Sequence, residues 1–115
     1  DGTMGVPHGY KVEGFGEDFI PPATDFSVID EIRMVDDESC FRMARRLAKQ
    51  EGLFCGGSCG GALQIALDIA AEHDKAGEKA KIVVILPDAG NPYLGKVYND
   101  DWLRDNGFDI DGWEW

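Results

Sequence analysis

Ser58 stands in "GLFCGGSCGGALQIALDIAAEH", residues 52–73, an apolar run that breaks on glycines and resumes with helical periodicity. A glycine cluster between a strand and a helix lets backbone N–H groups approach a ligand closely. An anion, a cofactor and a nucleophilic hydroxyl are therefore the chemistries to weigh. Gly56, Gly57, Ser58, Cys59 and Gly60 satisfy G-x-S-x-G, a nucleophile elbow, in a strand–turn–helix setting. That elbow needs an acid and then a histidine downstream, whereas the later histidine here, His73, precedes the best-placed acid, Asp88. No Lys-Ser/Thr pair follows the glycines, and G-x-G-x-x-G is absent both here and at Gly14, Phe15 and Gly16, so nucleotide binding loses its main support. A plain alternative stays open, in which the glycines only permit close helix–strand packing.

The other reactive side chains are sparse. Cys40, Cys55 and Cys59 are odd in number, and the C-x3-C pair has no second Cys/His pair at zinc spacing, so no metal site is expected. They read as reduced thiols that pack like small hydrophobes, with a redox role for Cys55 and Cys59 as the lesser alternative. His8 and His73 have no motif around them and are read as non-catalytic.

Positioning Ser58 requires the elements around it. Residues 31–35, "EIRMV", read as a strand running into Asp36, Asp37 and Glu38, acids suited to a helix N-terminus. From Glu38 to about Gln50, Phe41, Ala44, Leu47 and Ala48 share one face, and Gly52 ends the helix. A short strand at 53–55 leads into the glycines of 56–61. The following helix, with Ala62, Leu63, Ile65, Ala66, Leu67, Ile69 and Ala70, is apolar over most of its surface and is expected to be deeply buried. Residues 82–86, "IVVIL", form a continuous apolar strand stopped by Pro87, as in a parallel strand covered on both faces. Alternating strands and helices imply an open α/β sheet, with the 56–61 and 88–91 loops at one edge where ligands bind. "NDDWLRDNGF" holds a short amphipathic helix with Trp102 and Leu103 inward.

The chain has 115 residues, 22 acidic against 11 basic, for a formal charge of −11. That balance disfavours nucleic acid and anionic membranes as partners. No apolar run approaches membrane-spanning length and no signal-peptide pattern is present, so a soluble, cytoplasmic protein is expected.

Read together, "KVEGFGEDFIP", "SVIDEIRMVDDESCFRMARRLAKQEGLFCGGSCGGA" and "KIVVILPDAGNPYLGKVYNDDWLRDNGF" resemble the cystathionine β-synthase and cysteine synthase family of fold-type II pyridoxal-phosphate enzymes. The similarity runs from Lys11 to Phe108 and is closest to cystathionine β-synthases. It implies a Rossmann-like three-layer αβα architecture with a mostly parallel sheet, as one part of a two-lobed enzyme. It also implies pyridoxal 5'-phosphate as cofactor, amino-acid substrates and a homo-oligomeric, homodimeric assembly. By resemblance Ser58 hydrogen-bonds the pyridine nitrogen of the cofactor. Gly14, Phe15 and Gly16 form the loop beside cofactor and substrate, and Gly57 and Asp88 are further candidates, Asp88 with a loop-holding role in view. A hydroxyl at the positive end of a helix disfavours a protonated ring nitrogen, leaving a moderate electron sink suited to β-replacement.

The implied reaction joins serine, or an activated serine, to homocysteine in transsulfuration and cysteine biosynthesis. Cysteine synthase with O-acetylserine and sulfide is the alternative within the same chemistry, and a non-catalytic remnant or interaction module is the alternative outside it. Where many relatives have Arg-Asn before the aromatic of the loop after I-L-P-D, this chain has Asn91 and Pro92 before Tyr93. None of Lys11, Lys49, Lys75, Lys79, Lys81 or Lys96 matches the family's Schiff-base lysine, so no catalytic lysine is assigned. Residues 1–108 are accordingly expected to be the C-terminal portion of a catalytic domain, inactive alone, and 109–115 an acidic aromatic tail or linker.

Overall fold

Three helices carry the regular structure of the computed structural model, which describes residues 9–14 and 19–113. Helix α1, Asp37–Glu51, begins where the acids predict. The Asp36 carboxylate accepts from the Ser39 N–H at 2.7 Å, and Gly52 ends the helix in the left-handed region at φ 69°. Phe41, Ala44 and Leu47 of the expected stripe are buried, Ala48 is half-buried, and Cys40 and Met43 join the buried face.

Helix α2, Gly57–Lys75, starts earlier than expected. The glycines form its first turns instead of a loop ahead of it. A Cβ on Gly60 would lie 2.0 Å from the Cys40 carbonyl oxygen and 2.6 Å from the Ala44 nitrogen, so α1 and α2 cross backbone to backbone there. Close crossing compensates for the poor intrinsic helix propensity of glycine. The deep burial expected of α2 is not found: only Gly57, Cys59, Gly60, Gly61 and Ala66 are buried, and Leu67 is exposed.

The mostly parallel sheet expected from the pattern is also not formed among the described residues. Residues 31–35, 53–55 and 82–86 pair with no strand, and a single antiparallel bridge joins Cys55 to Ala89. The reason is the lack of a neighbouring ladder, because a strand exists only when its N–H and C=O groups find one. Exposure nevertheless alternates along two of these segments. Val35 and Leu86 pack on the core, while Ile32 and Met34 are 69% and 82% exposed and Val83 and Ile85 are 86% and 79% exposed. Segment 82–86 is therefore covered on one face, not both. Arg33 fastens 31–35 to α2 through a two-pronged contact with Glu72, at 2.7 and 2.8 Å.

After a 3-10 turn at Asn91–Tyr93, helix α3 spans Asp100–Asp105, capped by Asn99 accepting from the Trp102 N–H. Leu103 is fully buried and Trp102 half-buried, as the amphipathic pattern predicts. Phe41 meets Trp102 and Phe108 edge-on, with ring centroids 5.9 and 5.3 Å apart. Ile110 and Trp113 are buried in this same core. No described helix is long and apolar enough to cross a membrane.

Candidate functional site

Ser58 is the second residue of α2, half-buried, and among the described residues no hydrogen bond engages its hydroxyl. The N-cap, Gly56, supplies no side-chain acceptor, and the first turn carries no acid. This contrasts with α1, where Asp36 caps and Asp37 and Glu38 follow, and with α3, where Asn99 caps and Asp100 and Asp101 follow. The leading end of α2 thus retains N–H groups without a capping side chain and a positive dipole end.

Two other segments meet this end. Glycine at 57 leaves room for Phe41 and Val12: a Cβ there would lie 3.1 Å from the Phe41 ring and 3.6 Å from a Val12 methyl. Val12 is held in place because the Asp37 carboxylate accepts from the backbone N–H groups of Lys11 and Val12, at 2.7 and 3.1 Å. Gly14 follows in the left-handed region at φ 67°, and Glu13 pairs with Lys96. The structure therefore brings Val12, two residues before Gly14, beside Gly57; Phe15 and Gly16 lie outside the described residues. Between Lys11, Glu13, Gly57, Tyr93, Lys96 and Trp102 remains a cavity of about 10 Å³, room for one water-sized group.

Asp88 arrives from the other side. Its carboxylate packs on Gly56, where an added Cβ would stand 2.3 Å from Oδ1. It accepts a hydrogen bond from the Tyr93 hydroxyl at 2.5 Å and from the Cys59 thiol at 3.4 Å, and that thiol also reaches the Asp88 carbonyl. The Asp88 hydrogen bond, ahead of burial, pushes the Tyr93 phenol up to about 12. Tyr98 donates to the Cys55 carbonyl at 2.6 Å, and the Gly90 N–H donates to Phe54, so the 88–98 stretch is stitched to the start of α2. Burial raises Cys40 and Cys55 to about 12, and all three cysteines are buried free thiols. His73 lies within α2 and contacts Glu78. The parts Tyr93, Val12 and Lys96 play here escaped the sequence reading. Tyr93 had a local signal, a tyrosine five residues after an acid in a turn, while the Lys96–Glu13 pair spans 83 residues and had none.

A family model described as pyridoxal-phosphate dependent enzyme matches residues 3–88, which include Ser58 and the Gly14 turn. The chain belongs to the pyridoxal-phosphate dependent enzyme family. Within that family it is similar to the cystathionine beta-synthase of Dictyostelium discoideum, 50% identical over 99 residues, covering 86% of this chain and 19% of the relative. The Mus musculus cystathionine beta-synthase is 44% identical over 99 residues, covering 86% of this chain and 17% of the relative. This chain therefore spans about a fifth of the length of the curated relatives it matches. Among solved structures, the cysteine synthase of Entamoeba histolytica matches with a TM-score of 0.71 and 34% identity, over 84% of this chain and 28% of that one. An O-ureido-L-serine synthase matches with a TM-score of 0.70 and 36% identity, over 83% and 32%. The fold family is thus that of the cysteine-synthase-like, fold-type II pyridoxal-phosphate enzymes.

Members of this family depend on pyridoxal phosphate, and the donor set at α2 suits such a ring. A neutral hydroxyl can donate to a pyridine nitrogen, and the first turn brings no charge of its own that would demand a protonated one.

Proposed function

We propose that this chain supplies the ring-nitrogen side of the cofactor site in a pyridoxal-phosphate-dependent β-replacement enzyme that joins serine, or an activated serine, to homocysteine and forms cystathionine. The observation that carries the reading is Ser58: a hydroxyl with no hydrogen-bond partner among the described residues, on the uncapped first turn of a helix anchored by glycine. When bound, the cofactor supplies an electron-withdrawing ring that weakens bonds at the α-carbon of an amino acid. Ser58 donates to the ring nitrogen and keeps it unprotonated. The segment ending in the Gly14 turn borders the substrate, and Gly57 gives that segment room beside the helix.

In this reading residues 31–35, 53–55 and 82–86 take their places in a mostly parallel sheet of a three-layer αβα unit. Their support is the period-two exposure of Ile32, Met34, Val83 and Ile85. The whole enzyme would be a cytoplasmic homo-oligomer using amino-acid substrates, with its cofactor-linked lysine supplied by residues other than the six lysines present here. The likeness to cystathionine beta-synthases at 50% and 44% identity favours homocysteine as the second substrate. The solved cysteine synthase favours sulfide with O-acetylserine as the other reading. Comparing kcat/KM for serine with homocysteine against O-acetylserine with sulfide, in the full-length protein, decides between them. The first pair should be preferred, and a clear preference for the second would assign the protein to cysteine synthesis.

A further inference from the structure

Helix α2 differs from its two neighbours in how its leading end is electrically complemented. In α1 and α3 the acids sit on the helix itself, whereas at α2 the carboxylate that touches the N-cap residue comes from Asp88, on a loop thirty-odd positions away. An aligned helix presents about half a positive elementary charge at this end, and the Asp88 carboxylate beside Gly56 opposes part of it. How much of that negative charge is felt two residues on, at Ser58, depends on what else holds the carboxylate. Oδ2 is taken by the Tyr93 hydroxyl at 2.5 Å and Oδ1 faces the Cys59 thiol at 3.4 Å. The neighbouring acid, Glu13, is engaged by Lys96.

We propose that Asp88, gripped by the Tyr93 hydroxyl, sets the electrostatic potential that the Ser58 end of α2 presents to the bound cofactor, which makes Asp88 and Tyr93 positioning residues of the site. The arrangement leaves the helix N–H groups and the Ser58 hydroxyl free for the ring, since the compensating charge approaches from the side instead of capping the turn. Tyr93 keeps its proton across the working range, so its role as donor is fixed. The inference rests on Ser58 facing the ring nitrogen, and the two are separable by experiment.

Full-length holoenzyme carrying Asp88→Asn, Tyr93→Phe or Ser58→Ala is compared with wild type for the absorption and emission maxima of bound pyridoxal phosphate and for its Kd, at a pH well above the carboxylate range. Both first substitutions preserve side-chain shape. Asp88→Asn removes the negative charge, and Tyr93→Phe leaves that charge less neutralised, so the cofactor bands should move in opposite directions, with a several-fold change in Kd for Asp88→Asn. Merely structural residues would loosen the cofactor in the same sense in both variants, and that result, or bands that stay in place, overturns the inference. Bands unmoved in Asp88→Asn but moved in Ser58→Ala overturn it while leaving the function of Ser58 intact. Bands moved oppositely by the pair but unmoved in Ser58→Ala sustain the charge effect and remove the Ser58 contact instead.

Discussion

Ser58 has a hydroxyl where its structural surroundings ask for none, and that is the sharpest residue-scale handle on function. Ser58→Ala in the full-length enzyme should keep the fold and part of the cofactor but lower turnover, since one neutral hydrogen bond contributes on the order of 1 kcal/mol. Ser58→Asp should be worse, because a carboxylate favours a protonated ring nitrogen and adds to the charge of Asp88 nearby. Steady-state rates and cofactor spectra of both variants check this, and two variants indistinguishable from wild type would reduce Ser58 to a turn residue.

The half-buried phenols and the buried thiols make a second prediction at this scale. Tyr93 and Tyr98 rise from 10 to about 12, and Cys40 and Cys55 from 9 to about 12. A raised folded-state value means that the folded form holds its proton more tightly. The resulting stability is complete below the unfolded values and is lost as pH climbs from about 9 to about 12. Unfolding midpoints measured across that window should fall steeply, and the three thiols should resist aromatic disulfide reagents until the chain unfolds. Labelling of Cys40 in the folded protein at neutral pH would contradict this.

Among the elements, the α1–α2 crossing is the joint on which the site's placement depends. Gly60→Ala would put a methyl 2.0 Å from the Cys40 carbonyl oxygen, a backbone atom that cannot swing aside, so the helices must part. Loss of stability should exceed the roughly 1–3 kcal/mol typical of overpacking. Gly52→Ala, strained only by its positive φ, should cost about 1 kcal/mol by comparison. Chemical denaturation of the two variants tests the ranking, and a Gly60→Ala protein as stable as Gly52→Ala would show that the crossing yields easily. Helix α1 was legible to within a residue at each end because its acids, apolar spacing and terminal glycine agree. The start of α2 was not, since glycine is a poor helix former and only a helix crossing in space turns that weakness into a requirement. The strand segments were legible as short apolar runs, but neither their one-sided coverage nor their pairing was, because both depend on neighbours that no single segment encodes. At the site, the glycine–serine run was visible, while the Tyr93–Asp88 grip depends on tertiary placement.

For the molecule as a whole, the two open faces set the behaviour. Its Cα radius of gyration is 15.3 Å, against about 13 Å for a compact domain of this length. Ile32, Met34, Val83 and Ile85 all point away from the core. Each large apolar side chain left in water forfeits about 1.5–3 kcal/mol, so the 115-residue chain on its own should be marginally stable, self-associating and avid for hydrophobic dyes. Sedimentation and dye fluorescence measure this, and a sharply melting, monodisperse monomer would be the contrary result.

The three adjacent acids that open α1 look interchangeable in the sequence, yet each has a different tenant. Asp36 takes the Ser39 amide, Asp37 takes the amides of Lys11 and Val12, and Glu38 takes the Trp113 indole. One helical turn therefore acts as the clasp of a loop of roughly a hundred residues, whose closure entropy depends only weakly on its length. Opening that turn frees both straps together. The amide hydrogens of Val12 and of the Trp113 segment should then exchange with solvent at a shared rate, so that two regions far apart along the chain behave as one cooperative unit.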